Sequence, residues 1–297
     1  MGGRHRTPSR DVSSPRRRLW TVVGVAVAVV LVAVGAAVRL SGHHDDVEPA
    51  QQTASRMSAH QVESRLRSSF DAIEFTAAVG VALVPVGGGV PMLFGDQTVR
   101  DAWSTIKAPL GLAAERRHGM SRTEANAVID SDNASARILT RSLGTPAEAS
   151  AALTEVLREG GDTTTVPAPS RGGRHPMLGE TQWALADSAT WTANLPCMTG
   201  SDHILELMND VADVQKWGIR RLGLDRTAVK GGWGQAPDGG YEVRQIGVVT
   251  LHDGSQLAVS ASTHARKMTF DQGTETLDRV AAWLRSEFDV LRGGRCR

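Results

Sequence analysis

Residues 102–114 read AWSTIKAPLGLAA, and one lysine in this stretch decides how the chain is read. The sequence holds 33 basic residues but only four lysines, which makes the placement of this one worth explaining. Apolar residues at helical spacing put residues 103–115 on a helix, where positions i and i+3 share a face. Ser104 and Lys107 then point the same way, one turn apart. Beside Ile106, Pro109 and Leu110 the amine is partly withdrawn from water, which lowers its pKa and suits it to take the serine proton. Taken alone, S-x-x-K is equally the pattern of a surface lysine near a helix start.

At 297 residues and 41% hydrophobic content, the chain can bury one sizeable core. A formal net charge of +1 creates no field that would draw nucleic acid, so a nucleic-acid partner is excluded. Residues 19–38, LWTVVGVAVAVVLVAVGAAV, carry no charge, and twenty helical residues span the hydrocarbon thickness of a bilayer. Arg4, Arg6, Arg10, Arg16, Arg17 and Arg18 precede this run, whereas SGHHDDVEPA follows it. The arginine excess is expected to stay cytoplasmic, making residues 19–38 a single-pass membrane anchor with the C-terminal part outside. A cleaved signal peptide is the competing reading, since VGAAV offers small residues for processing. The expected organisation is a basic segment (1–18), the transmembrane helix (19–38), a linker (39–54) and one domain (55–297).

Cys197 and Cys296, the only cysteines, both fall in the exported part. In an oxidising compartment they permit one disulfide; the alternative is two separate thiols. Neither CxxC nor HExxH occurs, and the nine histidines show no ligand spacing, so neither a metal nor a cofactor is expected.

The order of elements is that of an α+β fold, an antiparallel sheet flanked by helices. Residues 55–73 have helical periodicity, and two strands joined by Gly87, Gly88 and Gly89 follow as a hairpin. Helices are expected over 103–115, 123–143 and 146–158, then, after an unusually long loop at 160–179, over 183–195 and 204–217. Strands around VKGGWG, YEVRQIGVVTL and QLAVSAST precede a last helix over 272–291.

Two more motifs stand in order behind Ser104 and Lys107: S-D-N at Ser131, Asp132 and Asn133, and K-G-G at Lys230, Gly231 and Gly232. S-x-x-K, S-D-N and K-T-G together mark class A β-lactamases and penicillin-binding proteins. Over residues 72–292 the chain resembles that superfamily of serine hydrolases. The resemblance implies a β-lactamase/D,D-peptidase-like fold in which Ser104 is the acyl-forming nucleophile and Lys107 its base. Ser131 would relay a proton to the leaving nitrogen, Asn133 would bond the substrate amide, and Lys230 would supply positive charge. Gly231 and Gly232 would border the substrate, and the backbone N–H groups of Ser104 and Trp233 would form the oxyanion hole. Each motif also has an ordinary reading: S-D-N is a good helix N-cap, and the glycines after Lys230 suit a strand bulge. Trp103, Trp183, Trp191 and Trp233 suit core or pocket wall.

Three departures from the family pattern are visible. Ser131 follows Ser104 by only 27 residues, which implies a reduced helical subdomain. Gly232 stands where the family has Thr or Ser, so a hydroxyl that meets the substrate carboxylate is absent. The 160–179 loop, where class A enzymes carry a deacylating glutamate, has Asp162 as its only acid, and Glu180 just beyond is a poor substitute by position. Two function classes follow. One is an extracytoplasmic serine acyl hydrolase or transferase acting on a cell-wall peptide or small amide or ester. The other is a non-catalytic module that binds peptidoglycan or a partner protein.

Overall fold

A computed structural model describes residues 57–297. The basic segment, the transmembrane helix and the linker expected over 1–54 lie outside the described residues, among which no helix is long and apolar enough to cross a membrane.

The predicted first helix is α1 (Ala59–Asp71), opened by a reciprocal capping box between Ser58 and Gln61. Its buried positions Val62, Leu66 and Phe70 recur every fourth residue, one stripe facing the core. The hairpin follows as β1 (Ala78–Pro85) and β2 (Met92–Gly95). The C-terminal meander comprises β5 (Thr227–Gln235), β6 (Tyr241–Thr250) and β7 (Gln256–His264). These five strands form one sheet in the order β2-β1-β7-β6-β5, every pair antiparallel.

One sheet face is covered by α1 and by α8 (Phe270–Ser286), which starts at the Thr269–Gln272 capping box and stops short of the 291 expected. The two terminal helices meet where Phe70 and Trp283 stack edge to face, with centroids 5.0 Å apart. There Trp283 Nε1 donates to Ser69 Oγ at 2.9 Å. Against the other face lies α6 (Leu185–Asn194), whose Leu185, Ala189 and Ala193 pack on Ala82, Val84 and Ala258. Beside it is a helical layer of α2 (Lys107–His118), α3 (Arg122–Ile129), α4 (Asn133–Ser142), α5 (Pro146–Glu159) and α7 (Asp202–Asn209). This layer has its own core around Leu110, Leu139, Leu153 and Ile204. Two-residue strands β3 (Arg100–Asp101) and β4 (Gln182–Trp183), before and after α2–α5 in sequence, pair with each other.

Three helical expectations change, each for a local reason. The 103–115 helix begins as a 3₁₀ turn, Trp103–Ile106, because Trp103 takes a left-handed φ of 48°. The continuous 123–143 helix breaks at residues 130–132, where Asp132 accepts from Ser135 N at 2.6 Å and caps a new helix. The 204–217 helix ends at Asn209 and gives way to one 3₁₀ turn, Asp213–Gln215, before Gly218, whose φ is 55°. Trp183 and Trp191 are core, stacked edge to face with centroids 6.0 Å apart.

Candidate active site

The three motifs converge where the helical layer meets edge strand β5. Ser104 sits in the 3₁₀ turn ahead of α2, and that turn lies hard against the strand. A Cβ on Gly232 would come within 2.9 Å of Ser104 N, so glycine there lets the strand backbone reach the nucleophile turn. The Trp103 indole lies across Gly234 and donates from Nε1 to Glu242 Oε2 at 2.8 Å.

Lys107 begins α2 and is buried. Its Nζ donates to Ser131 O, to Asn133 Oδ1 at 2.8 Å and to Ser131 Oγ at 3.3 Å. Lys230, on β5 and fully buried, donates to Gln215 Oε1, to Gly231 O at 2.9 Å and to Ser131 Oγ at 3.1 Å. One hydroxyl is therefore shared by two amines. Ser131 achieves this in the left-handed region, at φ 56°, between the end of α3 and the cap of α4. Two buried ammonium groups on one hydroxyl repel. Burial first, and Lys107 second, hold Lys230 well below the ordinary lysine pKa, and burial lowers Lys107 to about 8.

Ser104, Lys107, Asn133 and Trp233 line one cavity of about 270 Å³, whose other walls include Ile106, Leu110, Arg137 and residues 176–180. Ser131, Lys230, Gly231 and Gly232 do not line it; Ser131 and Lys230 connect to it through Lys107. Among the described residues no side-chain hydrogen bond joins Ser104 to Lys107: the Lys107 backbone N–H donates to Ser104 O, but its amine is turned to the S-D-N segment.

Aligned residue by residue, K-T-G falls on Lys230, Gly231 and Gly232. The missing hydroxyl thus belongs to Gly231, and Gly232 matches the motif's own glycine. A Cβ on Gly231 would lie 2.9 Å from Trp217 Cζ2 and 3.5 Å from Gln215 Oε1. The indole occupies the room a threonine needs. Restoring the motif with Gly231→Thr is expected to destabilise the chain by about 1–3 kcal/mol through overpacking. Denaturant unfolding checks this, and an unchanged midpoint would show that Trp217 yields.

The loop acids also differ from expectation. Asp162 is fully buried and accepts from Thr165 N at 2.9 Å and Trp183 Nε1 at 2.8 Å, so it pins the base of the loop and is not a cavity residue. Glu180, set aside by its position in sequence, lines the same cavity as Ser104, exposed and 3.7 Å from Arg171. Gln215 carried no local signal at all. Fully buried, it bonds Lys230 and, at 3.0 Å, Gly231 N through Oε1, while Nε2 donates to Val128 O at 3.0 Å and Ile129 O at 2.7 Å. It locks β5 to α3.

The chain has the fold of the β-lactamase and penicillin-binding-protein superfamily. It is similar to the TLA-3 extended-spectrum β-lactamase, at 14% identity and a TM-score of 0.61 over 77% of this chain and 100% of that one. An ancestral class A β-lactamase matches at 18% identity and a TM-score of 0.55, over 76% and 99% of the two chains. PBP-A matches at 16% and 0.57, over 77% and 96%. No family model and no curated protein matches the chain.

Proposed function

We propose that the chain is an extracytoplasmic serine acyl hydrolase or acyltransferase that acts on a cell-wall peptide or a small ester or amide, with slow or absent β-lactam turnover. The observation that carries this reading is the Lys107–Ser131–Lys230 cluster beside a serine that opens on a cavity. In the proposed step Ser104 Oγ bonds to the acyl carbon and its proton passes to neutral Lys107. The bond from the acyl carbon to the leaving group then breaks as that proton is relayed to the leaving group through Ser131, and water later cleaves the acyl-serine ester. The backbone N–H groups of Ser104 and Trp233 are the proposed oxyanion donors. Slow turnover is inferred because Glu180 is the only carboxylate lining the cavity, and it is exposed and paired with Arg171. The joined Cys197–Cys296 pair and the uncharged 19–38 run support a location outside the cytoplasm, behind a membrane anchor.

One observation favours the non-catalytic reading: the Lys107 amine is occupied by Ser131 O and Asn133 Oδ1, away from Ser104. A single experiment separates the two. Intact cells making the full chain, wild type or Ser104→Ala, are treated with a membrane-impermeant activated ester or a penicillin, and the protein is weighed by mass spectrometry. A persistent adduct is expected on the wild type only, formed more slowly with penicillin. Rapid multiple turnover of penicillin overturns slow deacylation, and labelling only after lysis overturns the location. No adduct with any probe leaves the binding module.

A further inference from the structure

Away from the cavity, three helices bring together Glu115 near the end of α2, Glu124 in the first turn of α3 and His203 at the start of α7. One donor atom from each lies within 4.8 Å of the others. His203 Nδ1 is 3.2 Å from Glu115 Oε2 and 3.7 Å from Glu124 Oε2. Donors bound to a common ion at roughly 2.0–2.2 Å lie about 3–3.5 Å from one another, so little movement separates this arrangement from a coordination shell.

The Glu124 carboxylate makes the cluster more than a patch of acids. Glu124 is 1% exposed, and its Oε1 is buried without a hydrogen-bond partner. A buried carboxylate oxygen with nothing to accept from is costly unless a proton or a cation supplies the missing partner. Among the described residues no lysine or arginine pairs with Glu115 or Glu124, which leaves two carboxylates side by side with only an imidazole between them. Of the three, Glu124 alone has an outer partner among the described residues: Ser121 N donates to its Oε2 in the capping box of α3, at 3.4 Å.

We propose that Glu115, Glu124 and His203 bind one divalent first-row metal ion of the zinc class, with solvent as the remaining ligand. The donor set is one imidazole and two carboxylates. It suits zinc, balances the ion's charge, and leaves an open side where Glu115 and His203 are partly exposed. The ion ties α2, α3 and α7 at the ends remote from Lys107 and Ser131. No local spacing announces it, because the ligands come from three separate helices.

The test uses the full untagged chain, stripped with a chelator and titrated with Zn²⁺ by calorimetry, alongside Glu115→Gln and His203→Ala. The wild type is expected to bind one equivalent more than either variant, or to bind that equivalent at least about tenfold more tightly. Zinc raises its melting temperature by about 5 °C, reversibly with EDTA, and the variants lose that rise. Co²⁺ gives the wild type a visible ligand-field band that His203→Ala lacks, provided circular dichroism shows both are folded. Identical stoichiometry and affinity in wild type and variants overturns the proposal, because ions held by other histidines are indifferent to His203. No zinc uptake by the wild type overturns it too, and assigns the orphan oxygen to a proton shared with Glu115.

Discussion

Replacing Lys107 by alanine is expected to lower the rate of Ser104 acylation by about 10²–10⁴-fold, the usual loss when a positioned general base is removed. The same amine sets the pH profile. Its pKa is lowered to about 8 from the ordinary 10.5, mainly by burial, so the neutral, proton-accepting form accumulates as pH rises through about 8. Acylation of the wild type should therefore climb between pH 7 and 9, and the alanine variant should lose that climb along with the rate. Stability moves in the same direction. Between about pH 8 and 10.5 the unfolded chain holds a proton that folded Lys107 has released, so this residue's contribution becomes more favourable with rising pH across that window. Adduct formation followed by mass spectrometry from pH 6 to 10 decides the matter. An undiminished rate in Lys107→Ala, or a flat wild-type profile, would remove Lys107 from the role of base.

The second large effect concerns the bond between Cys197, in the 3₁₀ turn after α6, and Cys296 in the C-terminal tail. The bridge spans a sequence separation of 99 residues that includes β5, β6, β7 and α8. In the chain-entropy model, opening a loop of that length costs roughly 4–5 kcal/mol. Cys296→Ser is expected to shift the denaturant midpoint accordingly, as is reduction of the wild type. The tail is also held by hydrogen bonds, since Gly294 and Gln256 exchange backbone bonds at 2.8 and 2.9 Å. A variant whose midpoint does not move would mean these bonds already confine the tail and the covalent link adds nothing.

What could be read from sequence was local. The glycine turn and the apolar runs on either side announced the first hairpin, and the three ordered motifs announced the cavity, because each fixes its own backbone over a few residues. The break at residues 130–132 was masked by helical periodicity on both sides, although S-D-N carried the N-cap signal for it. Asp132 caps α4, and Ser131 just ahead of it lies between two lysines. Gln215, Glu180 and the Glu115–Glu124–His203 group were illegible for a different reason. Each acquires its place from partners far along the chain, and nothing in its own neighbourhood records them. Trp217 belongs with these: its ring fills the space beside Gly231, so the departure from the third motif is a matter of room as well as chemistry.

The strand order has a consequence for how the molecule is made. β1 sits between β2 and β7, and its register joins Ala78 to His264 and Pro85 to Leu257. A growing chain thus carries an almost wholly apolar strand, with only a four-residue partner on one edge, until the last strand has been synthesised. Loop closure over that distance is slow, and an unpaired apolar edge invites pairing with other chains. The helical layer, whose contacts are shorter in sequence, is free to gather first. The sheet closes only after β7 has been made, and the sulfur bridge waits for Cys296.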